Sequence, residues 1–245
     1  VAGLRMIFVP TLPQSGTWFV LRLLEKCGYS LEFTGDVVLN KKIIEDKSKV
    51  ALSTHIFPFY YQASPFKEVI PHYGTHATTD YVVKQYHMGM AGIELLTRLH
   101  KTIIPIRDPL ACILTREARA PQLRHFYIID GFLEVIKRYE DNPNVFFFPV
   151  DRYNTVEDRG YLVKHVLNCC DIDINKYRDE IDNYIVDWKK VNSAENRFRE
   201  PYENGDIDKI KDMLKEKWAE VEYLKIHGGT IWPFLNRLGY TDKLW

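Results

Sequence analysis

The sequence predicts an α/β protein: a central parallel sheet of about four or five strands between two layers of helices. Two observations carry that reading. Short apolar runs alternate with helix-period segments as far as Val150, the pattern of βαβ units. Three of those runs end in small polar or charged clusters, at the strand ends where open α/β sheets gather ligands. Beyond Val150 helices dominate, so the C-terminal half is expected to be helix-rich. With no internal repeat, low-complexity tract or clear linker, residues 1–245 read as a single domain.

The elements follow in order. Met6–Val9 is an apolar strand, and the turn Pro13-Gln14-Ser15-Gly16 leads into a helix over Thr17–Lys26. In that helix Phe19, Val20, Leu23 and Leu24 fall on one face, and Gly28 supplies the stop. A strand-like run over Lys49–Phe57 turns polar and meets Pro58; a helix over Met90–Leu99 carries Ile93, Leu96 and Leu99. Thr102–Ile106 is a buried-type strand ending at Arg107-Asp108-Pro109, with a helix over Leu110–Glu117 behind it. Phe132–Tyr139 reads as a helix with Asp130 near its N-cap, and Asn142-Pro143-Asn144 turns into the strand Val145–Phe148. Helices over Tyr161–Cys169 and Lys176–Ile185 come next. Asp206 then opens a long amphipathic helix through Ile207, Ile210, Leu214, Val221 and Leu224, stopped by Gly228-Gly229. Thr230 is placed to cap a last short helix ending at Gly239, and Val191–Asn204 is the best candidate for an irregular functional loop.

The first strand, turn and helix form a candidate anion site. The leading N–H groups of a helix have no internal acceptor, and the helix dipole adds partial positive charge there. Ser15 and Thr17 add hydroxyls, and Gly16 lets the backbone approach an oxygen closely. The G-x-x-x-x-G-K-[ST] spacing of nucleoside triphosphatases and its lysine are both missing. An ordinary strand-to-helix turn remains the plain alternative.

Composition narrows the partners. Hydrophobic residues make up 46% of the chain, and 33 Lys+Arg balance 33 Asp+Glu. Zero formal charge argues against broad nucleic-acid binding. No apolar stretch nears the roughly 18 residues that span a bilayer, and nothing reads as a signal peptide. Cys27, Cys112, Cys169 and Cys170 show no C-x-x-C spacing or disulfide framework, which suits reduced thiols and a cytoplasmic setting. His72 and His76 are separated by Gly74 and have no third ligand at a recognisable spacing, so no metal site is expected.

Three segments together resemble one family. Pro13-Gln14-Ser15-Gly16-Thr17-Trp18-Phe19 is similar to the P-K-S-G-T-T-W turn of sulfotransferases that use 3′-phosphoadenosine 5′-phosphosulfate. Ser53-Thr54-His55-Ile56-Phe57-Pro58 is similar to their K-T-H-L-P segment. Arg107-Asp108-Pro109, with Thr115 eight residues after the arginine, resembles their R-N/D-P…S signature. The resemblance covers roughly residues 5–120 and implies the P-loop-like three-layer αβα fold of that family. It implies that Gln14, Ser15, Gly16, Thr17, Trp18 and Phe19 surround the donor's 5′-phosphate, with Phe19 near the adenine. Arg107 and Thr115 would hold the 3′-phosphate, Arg through its bidentate, always-charged fork. His55 would be the general base toward an acceptor hydroxyl of a small molecule or carbohydrate, with no metal involved.

The departures are informative. Gln14 stands at the family's catalytic lysine, with Arg22 and Lys84 as candidate replacement cations. Trp18 replaces a threonine, and Val150-Asp151 replaces a Tyr-Glu-Asp. Tyr81, Lys84, Tyr86 and His87 are candidates for an acceptor pocket, with an exposed helix face as the alternative. Arg197 and Arg199 in the irregular loop are candidates to close over the 3′-phosphate, with a solvated charge pair as theirs. Two rival functions stand beside transfer: nucleotide binding on the same fold without turnover, and a small-molecule kinase, which the missing P-loop lysine disfavours.

Overall fold

The computed structural model describes residues 5–12, 15–33, 49–56, 93–119, 125–150, 156–187, 201 and 204–242. Five strands form one parallel sheet: β1 (Arg5–Thr11), β2 (Ser30–Phe33), β3 (Lys49–His55), β4 (Lys101–Ile106) and β5 (Val145–Pro149). Their order across the sheet is β2-β3-β1-β4-β5. The chain divides into two compact units, one of which holds this sheet with α1 (Thr17–Lys26), α2 (93–99), α5 (Val156–Cys169) and α6 (Arg178–Asp187).

Alternation along the strands sorts the core of this unit. Ile7 and Val9 of β1, Ala51 of β3, Ile103 of β4 and Phe148 of β5 face one way and pack with Phe19, Val20, Leu23 and Leu24 of α1. Val163 and Val166 of α5 and Ile181, Tyr184 and Ile185 of α6 complete that layer. The residues between them, Met6, Phe8, Val50, Leu52, Ile104 and Ile106, are buried on the other face. A parallel sheet covered on both faces is what near-continuous apolar strands require. From β1 the chain passes through α1 to the β2 side, whereas from β3 it passes through α2 to β4 on the other side. Right-handed crossovers therefore set α1 and α2 on opposite faces, giving a central parallel sheet flanked by helices in three layers.

The second unit contains α3 (Pro109–Arg119), α4 (Phe126–Tyr139), α7 (Ile207–Met213), a 3-10 turn (Lys215–Lys217) and α8 (Trp218–Arg237). Pro109 occupies the first turn of α3, where no N–H is needed, and Asp108 Oδ1 accepts the Leu110 N–H at 2.8 Å. Between α4 and α8, the Tyr223 hydroxyl donates to Asp130 Oδ1 at 2.8 Å, and the His125 N–H donates to the buried Glu220 at 3.1 Å. Arg237 pairs with Glu140 at the far end.

Several sequence expectations are corrected. β2 is a four-residue edge strand that the apolar pattern did not signal. α4 starts at Phe126, so Asp130 lies inside the helix and faces Tyr223 instead of capping. The helix opened by Asp206 does start there, its carboxylate accepting the Lys209 N–H at 3.1 Å, but it ends at Met213. α8 then runs straight through Gly228-Gly229 and Thr230. Gly228 gives room to the Trp232 ring, whose Cδ1 would be 3.1 Å from a Cβ there. Gly229 stands four residues before Pro233, where its carbonyl is the one a proline ring crowds.

Candidate functional site

The end of β1 is built to stop pairing on one side. Paired with β3, β1 stays in register to its last residue, Thr11 opposite His55, and the Ile56 N–H donates to the Thr11 carbonyl at 2.8 Å. Toward β4 the registered pairs are Ile7 with Lys101 and Phe8 with Thr102. Pro10, two residues further, has no N–H with which to continue that ladder. β1 and β4 are adjacent, yet the chain leaves them in opposite directions across the sheet, toward β2 and toward β5. This is a topological switch point, the kind of position beyond whose strand ends open α/β sheets bind ligands.

The turn from β1 to α1 stands at that point. Ser15 closes it: its N–H and its hydroxyl both donate to the Leu12 carbonyl, at 3.1 Å and 2.7 Å. The buried Ser15 hydroxyl therefore spends its proton within the turn and has only lone pairs left. Gly16 is the N-cap of α1 with φ +97°, and among the described residues no side chain caps the helix there. A Cβ on Gly16 would meet both methyl carbons of Val150, at 2.8 Å. Glycine is thus required twice, by backbone sign and by the approach of the chain leaving β5. The Phe19 N–H returns to the Gly16 carbonyl at 3.0 Å. The N–H groups of Gly16, Thr17 and Trp18 lead the helix and carry its positive dipole end.

The sequence-derived residues distribute as follows. Thr17 is buried at the start of α1. Phe19 is only 3% exposed and lies in the core between α1, α5 and α6, so it offers no face to an adenine ring, contrary to expectation. The exposed ring at this helix end is Trp18, 55% exposed, with the Arg22 guanidinium 5.5 Å from its centre. Arg22 also pairs with Glu25 at 2.6 Å, which places it on the solvent face of α1 in a local ion pair. His55 ends β3 with its backbone beside Thr11. Gln14, Tyr81, Lys84, Tyr86, His87, Arg197 and Arg199 lie outside the described residues.

In the second unit, Arg107 and Thr115 meet: Arg107 Nη1 donates to Thr115 Oγ1 at 2.9 Å. About two turns separate them along the chain, because Asp108 and Pro109 start α3 directly after Arg107. A guanidinium and a hydroxyl are both groups able to donate to an oxyanion. Such a pair suits an anion.

Two contributors were not read from the sequence. Val150 was noted only for departing from a family pattern, yet it shapes the turn through Gly16. Pro10 inside an apolar strand was the available sign of where pairing toward β4 ends. In comparisons with known proteins, no family model, no curated protein and no solved structure matches the chain. Among the described residues, no helix is long and apolar enough to cross a membrane.

Proposed function

We propose that this chain is a sulfotransferase of the P-loop-like fold, moving a sulfuryl group from 3′-phosphoadenosine 5′-phosphosulfate to a hydroxyl of a small molecule or carbohydrate. The observation that carries the reading is the register of Thr11 with His55. It sets the backbone of the one histidine of the second motif beside the end of the strand that leads into the Ser15-Gly16-Thr17 turn. The N-terminus of α1 beyond the end of β1, with a glycine forced by sign and space, suits a phosphate.

In this scheme the first N–H groups of α1 hold the donor's 5′-phosphate. The acceptor oxygen attacks sulfur, its proton passes to the His55 imidazole, and the bond from sulfur to the 5′-phosphate oxygen breaks. The bisphosphate leaves with charge that the α1 dipole and the bound N–H groups stabilise. Arg107 and Thr115 hold the 3′-phosphate, which anchors the nucleotide and takes no part in bond making. Four free thiols are in keeping with a reducing, cytoplasmic setting.

A second reading, nucleotide binding without transfer, is favoured by one observation. Gln14 lacks the charge of the family's lysine, and Arg22, a candidate substitute, is held by Glu25 and Trp18 on the solvent face of α1. Labelled-sulfate transfer to a panel of hydroxyl acceptors separates the two. Transfer that falls about 10²–10⁴-fold in His55→Ala, with bisphosphate binding intact, supports a base at that position. Undiminished transfer in that variant removes the base, and bisphosphate binding without any transfer by the wild type selects the second reading.

A further inference from the structure

A different cluster lies at the opposite end of the sheet. Lys49 is the first residue of β3 and His55 the last, so the two are separated by about 20 Å of extended chain. The Lys49 ammonium donates to the Tyr177 hydroxyl oxygen at 2.9 Å and stands 5.0 Å from the Tyr177 ring centre and 5.2 Å from that of Tyr29. A second ammonium, Lys176, stands 5.4 Å from the Tyr177 ring centre.

Local structure assembles this group. Tyr29 directly precedes β2, whose Ser30 is in register with Val50, so Tyr29 and Lys49 begin neighbouring strands. Tyr177 ends a short 3-10 turn, Ile174–Tyr177, whose start is fixed by the Asp173 carboxylate accepting the Asn175 N–H. Gly28, at φ +79°, closes α1, and a Cβ there would lie 3.3 Å from the Tyr177 oxygen, so glycine leaves that oxygen its space. The other titratable groups nearby are the Cys27 thiol, which feels Lys49, and Glu180 of α6, which acts on that thiol.

We propose that Tyr177 is a nucleophilic phenol and an O-acylation site for activated acyl groups. The ammonium of Lys49, hydrogen-bonded to the oxygen, stabilises the phenolate over the phenol, and Lys176 adds a second positive charge. The Tyr177 hydroxyl accordingly sits below the usual tyrosine range, chiefly through that hydrogen bond. Tyr177 is partly exposed. Tyr184 is the counter-example: buried, donating to the Phe19 carbonyl, and pushed up by burial. In the reaction the phenol first releases its proton to solvent, the phenolate oxygen attacks the acyl carbon, the bond from that carbon to its leaving group breaks, and the leaving group takes up a proton from solvent.

The test uses N-acetylimidazole in limiting amount on the full chain, with peptide mapping of hydroxylamine-reversible acetyl groups, which separates tyrosine esters from lysine amides. Tyr161, 71% exposed and stacked on His165, is the internal comparator. Near pH 7.5 Tyr177 is expected to acetylate roughly fivefold faster than Tyr161 or more, and the ratio to shrink toward one above about pH 10.5, where ordinary phenols ionise. Lys49→Met is expected to bring Tyr177 most of the way down to the Tyr161 rate while leaving Tyr161 unchanged. Lys176→Met, on an exposed side chain, is expected to give a smaller loss and serves if Lys49→Met does not fold. Tyr161 reacting as fast as Tyr177 in the wild type, or a rate at Tyr177 indifferent to both lysines, overturns the proposal.

Discussion

Val150 occupies the space that a side chain at residue 16 would need: both of its methyl carbons lie 2.8 Å from the position of a Cβ on Gly16. The chain leaving β5 thereby fixes the turn between β1 and α1. Gly16→Ala should destabilise the protein by about 2–4 kcal/mol, combining left-handed backbone strain with overpacking. Chemical denaturation measures it. The double variant Gly16→Ala, Val150→Ala should recover the packing part and retain the backbone part. A fully neutral Gly16→Ala would mean that the turn is not held as described.

The Arg107–Thr115 pair predicts separable effects on bisphosphate binding. Arg107→Ala should weaken it by about 1.5–3 kcal/mol, the worth of a charge-assisted hydrogen bond. Thr115→Val should lose about 0.5–1.5 kcal/mol, a neutral hydrogen bond. Titration of each variant with 3′,5′-bisphosphoadenosine decides, and equal losses would contradict a charge-dominated contact.

Asp130 predicts a pH dependence. Its carboxyl is pushed up to about 6, first by burial and then by Glu134, against the lowering effect of the Tyr223 hydrogen bond. A carboxyl raised in the folded state binds more protons folded than unfolded. The stability it contributes is complete below about pH 4 and is lost as pH rises through about 6. Discounted for partial exposure, the effect is roughly 1 kcal/mol, or about 2–4 °C in Tm. The Tm of Asp130→Asn should therefore rise relative to wild type between pH 5 and pH 7.5. A difference that stays constant with pH would show that Asp130 does not titrate in this range.

The four thiols should differ sharply in reactivity. Cys27, Cys112 and Cys170 are buried, and burial pushes the Cys27 thiol up to about 11 and Cys170 to about 12. Cys169 is partly exposed, with its sulfur 3.8 Å from His165 Nε2. In native protein one thiol should react quickly with a chromogenic disulfide, and Cys169→Ser should remove that phase. Two or more fast thiols would contradict the burial of the others.

Much of the fold was legible because the apolar run Thr102–Ile106 is buried on both faces and Val145–Phe148 is buried or partly buried on both, leaving little competing pattern. β2 was not, since Ser30–Phe33 is a short edge strand whose pairing with β3 depends on tertiary contact. The glycines of α8 were misread as a stop because Gly228 makes room for the Trp232 ring within a continuing helix, which sequence does not display. At the site, the turn and the end of β3 were legible as polar strand ends. Phe19 was misplaced because a motif position does not tell which face of α1 meets the core, whereas the helical spacing of Phe19, Leu23 and Leu24 does.

The most direct measurement of the central claim is calorimetric titration of the wild-type chain with 3′,5′-bisphosphoadenosine and, separately, with ATP plus Mg²⁺. A sulfate-donor site predicts the tighter binding for the bisphosphate, and its weakening in Arg107→Ala. Tighter binding of ATP, or no binding of the bisphosphate, would contradict it.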